Sequence, residues 1–209
     1  MIYCEYHMTK QQCMIFMGGS FNPVHPGHLE AMNSAKKEME KKGYDVVAGY
    51  LAVSTDQWVM KKNRDEAIPA YHRIKMCQVA VNEKDSTKWI NVGAEPSWSA
   101  LKLAQTIIDP SSNIKTVIVC GEDKLQKFDR KKSAVISICV SRSSKVYGGM
   151  LTAVKPGLSS TYIRDALIKD RTNAVNSLVS NGYINESVGT YIKNNISDLS
   201  RKVPYLFKQ

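Results

Sequence analysis

The residues best suited to chemistry stand close together near the N-terminus, in the stretch GGSFNPVHPGH that spans residues 18–28. This stretch holds His25 and His28, and histidine is the side chain whose charge changes most readily near neutral pH. Gly18 and Gly19 precede them, and residues without a Cβ atom let backbone N–H groups approach an anion closely. The combination predicts a site for a phosphate-bearing ligand. A structural role for either histidine at the start of a helix, and metal binding, are the alternatives.

The flanking elements would hold this stretch at a strand-to-helix turn. The apolar run over residues 13–17 predicts a buried strand, and apolar positions between Pro26 and Lys42 repeat at helical spacing. Further strands are predicted over residues 45–53, 88–92, 115–120, 134–140 and 151–154, with helices from Pro69, from Ser97 or Ser99, over 162–169 and twice within 171–196. Such alternation is typical of an α/β fold in which helices cover both faces of a parallel sheet. Ligands bind these sheets beyond the carboxyl ends of the strands, where this turn is expected.

The length of 209 residues predicts a single domain over residues 1–209, because one hydrophobic core of this size is ordinary. Residues 1–12 and 201–209 are expected to be loose ends. The polar, lysine-bearing residues 54–67 are expected to form a loop.

The net charge of +10 indicates anionic partners, which could be phosphorylated metabolites, nucleic acid or a membrane surface. The basic residues are scattered in short clusters, without a long basic tract, which argues against specific nucleic-acid binding. No apolar run approaches the roughly 20 residues of a membrane span, and the first residues lack the pattern of a signal peptide. We therefore expect a cytoplasmic protein that binds no membrane, with a nuclear location and a homo-oligomer left open.

The cysteines do not form a recognisable site. The five are Cys4, Cys13, Cys77, Cys120 and Cys139, with no CxxC pair among them. Their spacing predicts reduced, buried thiols and no metal centre built from protein ligands.

A second stretch whose residue types could take part in chemistry, LSSTYIR, spans residues 158–164. Ser160 and Thr161 are residue types that cap the N-termini of helices. Arg164 follows one turn later, and its guanidinium fork suits phosphate oxygens. Taken alone, this segment fits an ordinary helix cap followed by an arginine.

The two stretches resemble the signatures of the HxGH nucleotidyltransferase superfamily, whose members transfer a nucleotidyl group from a nucleoside triphosphate. Other segments are similar to eukaryotic-type nicotinamide mononucleotide adenylyltransferases: IPAYHR over residues 68–73, EPSW over 95–98 and CGED over 120–123. The resemblance extends in order over residues 13–168. It implies a Rossmann-like nucleotidylyltransferase fold, and the reaction of ATP with nicotinamide mononucleotide to give NAD and pyrophosphate, with Mg²⁺.

The resemblance also implies roles for individual residues. The catalytic residues would be His28, at the α-phosphate, His25, assisting at the phosphates, and Arg164, at the β- and γ-phosphates. The residues implied in ATP binding are Gly18, Gly19, His25, His28, Gly121, Asp123, Ser160, Thr161, Ile163 and Arg164. The residues implied in mononucleotide binding are Ser20, Phe21, Trp58, Lys61 and Trp98, with Lys62 as the alternative to Lys61 at the phosphate. No protein residue is assigned to a metal, and Mg²⁺ would bridge the phosphates of ATP.

The stretch after Asp123 departs from the eukaryotic-type pattern, because no tryptophan follows Trp98. In that branch a second tryptophan sandwiches the pyridine ring, and Phe128 is the candidate substitute here. The acceptor therefore stays open between nicotinamide and nicotinate mononucleotide. Two other activities of the superfamily, phosphopantetheine adenylyltransferase and cytidylyltransferase, are alternatives. A non-catalytic nucleotide- or RNA-binding module is the alternative from a different class.

Overall fold

Parallel strands form one sheet in a computed structural model that describes residues 10–121, 135–141, 150–151, 158–170 and 173–207. The strands are β1 (Gln12–Gly19), β2 (Asp45–Val53), β3 (Ile90–Val92), β4 (Lys115–Gly121), β5 (Val135–Ser141) and β6 (Met150–Leu151). Their order across the sheet is β3-β2-β1-β4-β5-β6. The order changes direction between β1 and β4, which is the position where sheets of this kind bind ligands.

Helices pack on both faces of the sheet. The described helices are α1 (Pro26–Lys41), α2 (Asp56–Asn63), α3 (Ala70–Asn82), α4 (Ala100–Ile107), α5 (Ser160–Lys169), α6 (Ala174–Ser180), α7 (Glu186–Asn194), α8 (Ile196–Lys202) and α9 (Pro204–Phe207), with 3₁₀ turns at Arg64–Glu66 and Asp85–Thr87. Side chains of α1, α3 and the C-terminal helices share the larger apolar core. On the opposite face, Ala100 and Ala104 of α4 pack against Phe16 and Ile118. The predicted fold class is thereby confirmed.

The central strand β1 brings the opening stretch to the ligand-binding edge. Cys13, Ile15 and Phe16 are fully buried, as expected for a strand with neighbours on both sides. Near its carboxyl end, Gly19 pairs with Val53 of β2, and Met17 pairs with Val119 of β4. The three strands therefore end at a similar level, and residues 20–25 leave β1 beside the ends of β2 and β4.

The expected loop over residues 54–67 is instead the helix α2 followed by the Arg64–Glu66 turn. The amide N–H groups of Trp58 and Val59 donate to the carbonyl of Thr55, which begins the helix. Val59 is the one buried side chain of α2. A helix with a single buried position has no apolar periodicity, so the sequence pattern gave no sign of it.

Both expected loose ends are partly corrected. Gln12 begins β1, and the carbonyl of Gln11 accepts a hydrogen bond from the amide of Asp45, whereas residues 1–9 lie outside the described part of the chain. At the other end, α8 and α9 continue to Phe207, and Leu206 and Phe207 are buried in the larger core. These apolar side chains give residues 203–207 a packed position. The single-domain prediction stays a prediction.

Two further sequence expectations concern surfaces and thiols. Within the described residues, no helix combines the length and the apolar character that crossing a membrane requires. The thiols of Cys13, Cys77 and Cys120 are buried, as expected. Burial raises the pKa of Cys13 to about 11.

Candidate active site

A cavity of about 410 Å³ opens at the carboxyl ends of β1 and β4. Its lining comes from residues 17–22, His25, Gly27, His28 and Ala31; from Ser54, Trp58, Lys62 and Asn63; from Trp98, Ser99 and Ala100; from residues 118–121; and from Ser159, Ser160, Thr161 and Arg164. The two stretches in which the sequence predicted phosphate binding therefore face one space, although they are more than a hundred residues apart in the chain.

Phe21 gives the opening turn its shape. Its φ angle of 45° lies in the left-handed region, which is costly for a bulky residue and is found where a site requires it. The Phe21 ring is buried, and its edge meets the His28 ring with centroids 4.9 Å apart. A Cβ atom on Gly19 would lie 3.0 Å from this ring, so the turn closes over Phe21 only with glycine at that position.

His25 and His28 pack against each other at the start of α1. His25 is the N-cap residue, and its backbone N–H donates to Nδ1 of His28 at 3.2 Å. The two rings are stacked, with centroids 3.7 Å apart. Because Nδ1 of His28 accepts this hydrogen bond, the neutral ring carries its proton on Nε2 and donates through that atom. His25 is buried and His28 is half-buried on the cavity wall.

The N-terminus of α5 supplies hydroxyl and N–H groups. Ser159 is the N-cap, and its Oγ accepts from the amide of Tyr162 at 3.1 Å. The hydroxyl of Ser160 donates to the carbonyl of Pro23 at 2.9 Å, which ties α5 to the opening turn. Thr161 is exposed on the cavity wall. Ile163 is fully buried in the core and is not among the residues that line the cavity, and its part in ATP binding stays a prediction.

Arg164 is held in place from two directions. Its Nε donates to Oε2 of Glu66 at 2.6 Å, and its Nη1 donates to the carbonyl of Asn22 at 3.0 Å. The residue is 6% exposed and lines the cavity. The sequence singled out Arg164 but neither of its partners, because Glu66 is 98 positions away and belongs to the segment expected to be a loop.

The tryptophans Trp58 and Trp98 also line the cavity. Their side chains are 57% and 65% exposed, although large aromatic residues are usually buried. Lys62 follows Trp58 by four positions on α2, so the two share one helix face. This spacing brings Lys62 to the cavity, whereas Lys61, the residue first assigned to the phosphate, does not line it.

Arg73 ties the opening turn to α2 and was not among the predicted site residues. Its guanidinium is fully buried and donates to the carbonyl of Ser20 and to the carboxylate of Asp56, each at 2.8 Å, and to the carbonyl of Ile68 at 2.6 Å. Burial lowers the pKa of the guanidinium, and the pairing with Asp56 opposes that shift. The arginine thus fixes the backbone of Ser20, which lines the cavity.

The model of the family described as "Cytidylyltransferase-like" matches residues 16–166. The chain belongs to the cytidylyltransferase-like family. The match contains the opening turn, α2, α4 and Arg164, so all the described residues that line the cavity lie within the family region.

Relatives of this cytidylyltransferase-like chain carry names that agree with the predicted resemblance. It is 27% identical over 132 residues to "Nicotinamide/nicotinic acid mononucleotide adenylyltransferase" of Arabidopsis thaliana, which covers 56% of this chain and 52% of the relative. It is 21% identical over 194 residues to "Probable nicotinate-nucleotide adenylyltransferase" of Staphylococcus haemolyticus, which covers 89% of this chain and 96% of the relative. The chain spans about half the length of the plant relatives it matches.

A solved structure agrees on the fold. It is the "Plasmodium falciparum nicotinic acid mononucleotide adenylyltransferase complexed with NaAD". The TM-score is 0.62 at 17% identity, over 90% of this chain and 98% of that chain. The cytidylyltransferase-like chain therefore shares the Rossmann-like architecture that the resemblance implied.

Most predicted site residues of this cytidylyltransferase-like chain line the one cavity. Gly18, Gly19, Ser20, Phe21, His25, His28, Trp58, Trp98, Gly121, Ser160, Thr161 and Arg164 all do so. Asp123 and Phe128 lie outside the described residues. In the part of the chain that the structure describes, no three histidine, cysteine or acidic side chains form a group able to hold a metal ion.

Proposed function

We propose that the chain transfers the adenylyl group of ATP to nicotinamide or nicotinate mononucleotide, giving NAD or deamido-NAD and pyrophosphate. One observation carries the proposal. A single cavity joins the paired histidines, the N-terminus of α5 with Arg164, and two exposed tryptophans. Phosphate-binding groups and stacking groups in one cavity suit a substrate pair of a triphosphate and an aromatic mononucleotide.

The reaction is an in-line displacement at the α-phosphorus of ATP. A phosphate oxygen of the mononucleotide forms the new bond to this phosphorus, and the bond to the bridging oxygen between the α- and β-phosphates breaks. Pyrophosphate leaves with that oxygen and its electron pair. The protein needs no covalent intermediate, so positioning and charge stabilisation supply the catalysis.

The donor side of the cavity, residues 18–28 and 158–164, would bind ATP. His28 would donate through Nε2 to the α-phosphate, and His25 would support it by stacking and by its backbone N–H. Arg164 and the N–H groups at the start of α5 would bind the β- and γ-phosphates. Mg²⁺ would enter with ATP, held by phosphate oxygens and water, as is usual for this ion. Gly121, and Asp123 beyond the described residues, would lie at the nucleoside.

The acceptor side, residues 56–63 and 97–100, would bind the mononucleotide. Trp98 would stack on the pyridine ring, and Trp58 would add a second aromatic surface from α2. Lys62, rather than Lys61, would meet the acceptor phosphate, because it lines the cavity on the same helix face as Trp58. The arrangement suits a pyridine ring with either an amide or a carboxylate.

A substrate panel tests this proposal. The purified chain is incubated with Mg²⁺ and either ATP or CTP, each combined with nicotinamide mononucleotide, nicotinate mononucleotide or phosphopantetheine, while pyrophosphate release is measured. We expect release with ATP and at least one pyridine mononucleotide. Release only with phosphopantetheine, or only with CTP, would transfer the assignment to another activity of the superfamily. No release with any pair, together with measurable ATP binding, would support a non-catalytic nucleotide-binding module.

A further inference from the structure

Glu66 provides a carboxylate beside the proposed triphosphate site and contacts that site through Arg164. Its Oε2 accepts from Nε of Arg164 at 2.6 Å, at the short end for a charge-assisted hydrogen bond. The Arg164 side chain is 7% exposed and the Glu66 side chain 27% exposed. The pair is therefore shielded from bulk water, although an anionic side chain beside a triphosphate site should, by charge alone, oppose binding.

The backbone that carries Glu66 is fixed to the opening turn. The Asn22 side chain donates from Nδ2 to the carbonyl of Glu66 at 2.9 Å, and its Oδ1 accepts from the amide of Ile68 at 2.9 Å. Asn22 is 1% exposed. One buried amide thus holds the chain on both sides of Ala67, so the Glu66 carboxylate has a fixed base from which to hold Arg164.

The contacts leave one edge of the guanidinium for a ligand. Arginine has five N–H donors, of which Glu66 takes that on Nε and the carbonyl of Asn22 takes one on Nη1. Among the described residues, Nη2 of Arg164 makes no hydrogen bond, and the residue lines the cavity. An unconstrained arginine would lose rotamer freedom when it bound phosphate, whereas this one is already ordered.

We propose that Glu66 is a positioning residue, which holds the Arg164 guanidinium so that its remaining N–H groups point at the β- and γ-phosphates of ATP. The proposal rests on the proposed ATP site and extends it to the segment between α2 and α3. Glu66 favours ATP binding because it orders Arg164, and this gain exceeds the electrostatic cost of a negative charge near the triphosphate. The opposite possibility, in which Glu66 mainly repels the triphosphate, makes different predictions for the same variants.

The test measures the Kd of ATP with Mg²⁺, without an acceptor, by calorimetry on the full chain and its variants. Glu66→Ala removes both the charge and the hydrogen-bond acceptor, and we expect it to weaken ATP binding about tenfold. Glu66→Gln removes the charge but keeps an oxygen acceptor, and we expect a Kd within about threefold of the parent. Asp65→Ala is the matched control, because it removes a neighbouring exposed carboxylate outside the cavity lining and should leave the Kd unchanged.

Two further variants keep the test decisive where Glu66→Ala does not fold. Glu66→Asp keeps the charge but retracts the carboxylate by one methylene group. A positioning role predicts weaker ATP binding for this variant, whereas repulsion predicts no weakening. In an Arg164→Ala background, replacing Glu66 with alanine should not change the Kd further, because Glu66 acts through that arginine. Circular dichroism and thermal unfolding confirm that each variant compared is folded.

The outcomes separate this inference from the proposed function. Tighter ATP binding by both Glu66→Ala and Glu66→Gln would show repulsion and overturn the positioning role. Equal Kd values for the parent, Glu66→Ala and Glu66→Asp would overturn it as well. Weaker binding by Glu66→Ala in a chain that transfers no adenylyl group to any acceptor would support the positioning role and contradict only the proposed reaction.

Discussion

The donor and acceptor sides of the cavity differ in how far their side chains are fixed before a substrate binds. On the donor side, His25 is 3% exposed and Arg164 is 6% exposed, and both have defined packing or hydrogen-bond partners. On the acceptor side, Trp58 is 57% exposed and Trp98 is 65% exposed. The two sides face one space, so the contrast lies within a single site.

This contrast indicates that the two sides of the cavity determine different kinetic properties. Groups held in a buried network keep their geometry when charge develops on the phosphates, which is how preorganised dipoles lower a barrier. Exposed aromatic rings gain most of their burial only when a ligand ring covers them. We therefore expect the donor side to set turnover and ATP affinity, and the acceptor side to set acceptor affinity. The following changes test that division, starting with the largest expected effect.

His28→Ala should lower turnover by at least about a hundredfold, because it removes the donor that we propose for the reacting phosphate. The fold should persist, since His28 is only half-buried. Pyrophosphate release at saturating ATP and acceptor gives kcat, and circular dichroism controls for folding. His28→Asn, which keeps an acceptor for the His25 amide, separates loss of that hydrogen bond from loss of the imidazole. Normal turnover in the alanine variant would remove His28 from the mechanism.

Arg164→Ala should raise the KM for ATP by about tenfold to a hundredfold, because it removes charged hydrogen bonds to the phosphates. The KM for the acceptor should change little. Initial rates measured against each substrate in turn give both constants, and Arg164→Lys tests whether charge suffices without the guanidinium fork. An ATP saturation curve that matches the parent would show that α5 does not bind the triphosphate.

Trp98→Ala should raise the KM for the mononucleotide by about tenfold, which corresponds to the loss of one stacking surface. Trp58→Ala should also raise the KM for the mononucleotide, but only by about threefold, because we expect Trp98 to make most of the stacking contact with the pyridine ring. Neither should change the KM for ATP, which serves as the internal control. An equal rise in both KM values would mean that the two sides of the cavity are not separable.

The smallest effect concerns the C-terminal helices, which support the donor side. α9 packs against α5, and the fully buried His72 of α3 connects this region to α7 and α8. Because a carboxylate only accepts, Nε2 of His72 donates to Asp198 at 3.1 Å, and Nδ1 accepts from the hydroxyl of Tyr191 at 2.8 Å. Burial lowers the pKa of His72 below its ordinary 6.5, against the opposing effect of Asp198.

The sign of the pH effect follows from that shift. Below pH 6.5 the unfolded chain binds a proton at His72 more readily than the folded chain does, so acid destabilises the fold. Asp198 adds nothing in this range, because hydrogen bonds from Tyr71 and Arg201 lower its pKa to about 2. We expect the Tm to fall by a few degrees between about pH 7.5 and about pH 5.5, and to fall less in His72→Gln. The same fall in both chains would exclude His72 as the cause.

The sequence predicted the elements whose apolar pattern is continuous or periodic. β2 has the predicted bounds, Asp45–Val53, and residues 51–53 at its carboxyl end are buried. The helix after Pro69 was likewise expected, and α3 begins at Ala70. α2 was missed because only Val59 of its eight residues is buried, so burial left no periodic signal.

Candidate site residues could be predicted from the sequence where the side-chain type itself indicates the chemistry. Residues that reach the site through long-range packing could not. The glycines, histidines and Arg164 were singled out from their types and from the resemblance of their two stretches to the superfamily's motifs. Glu66 and Arg73 were not, since one is 98 positions from its partner and the other acts through the carbonyl of Ser20. Lys62 could be preferred to Lys61 for the acceptor phosphate only once α2 was known, because residues 54–67 were expected to form a loop.

Label placed in ATP shows whether the chain transfers the adenylyl group and no other part of the nucleotide. The parent chain is incubated with Mg²⁺, a pyridine mononucleotide and ATP labelled either at the α-phosphorus or at the γ-phosphorus. We expect the α-label in the dinucleotide and the γ-label in pyrophosphate, in equal amounts. Transfer of the γ-label to the mononucleotide, or retention of both labels in ATP when every substrate is present, would contradict adenylyl transfer.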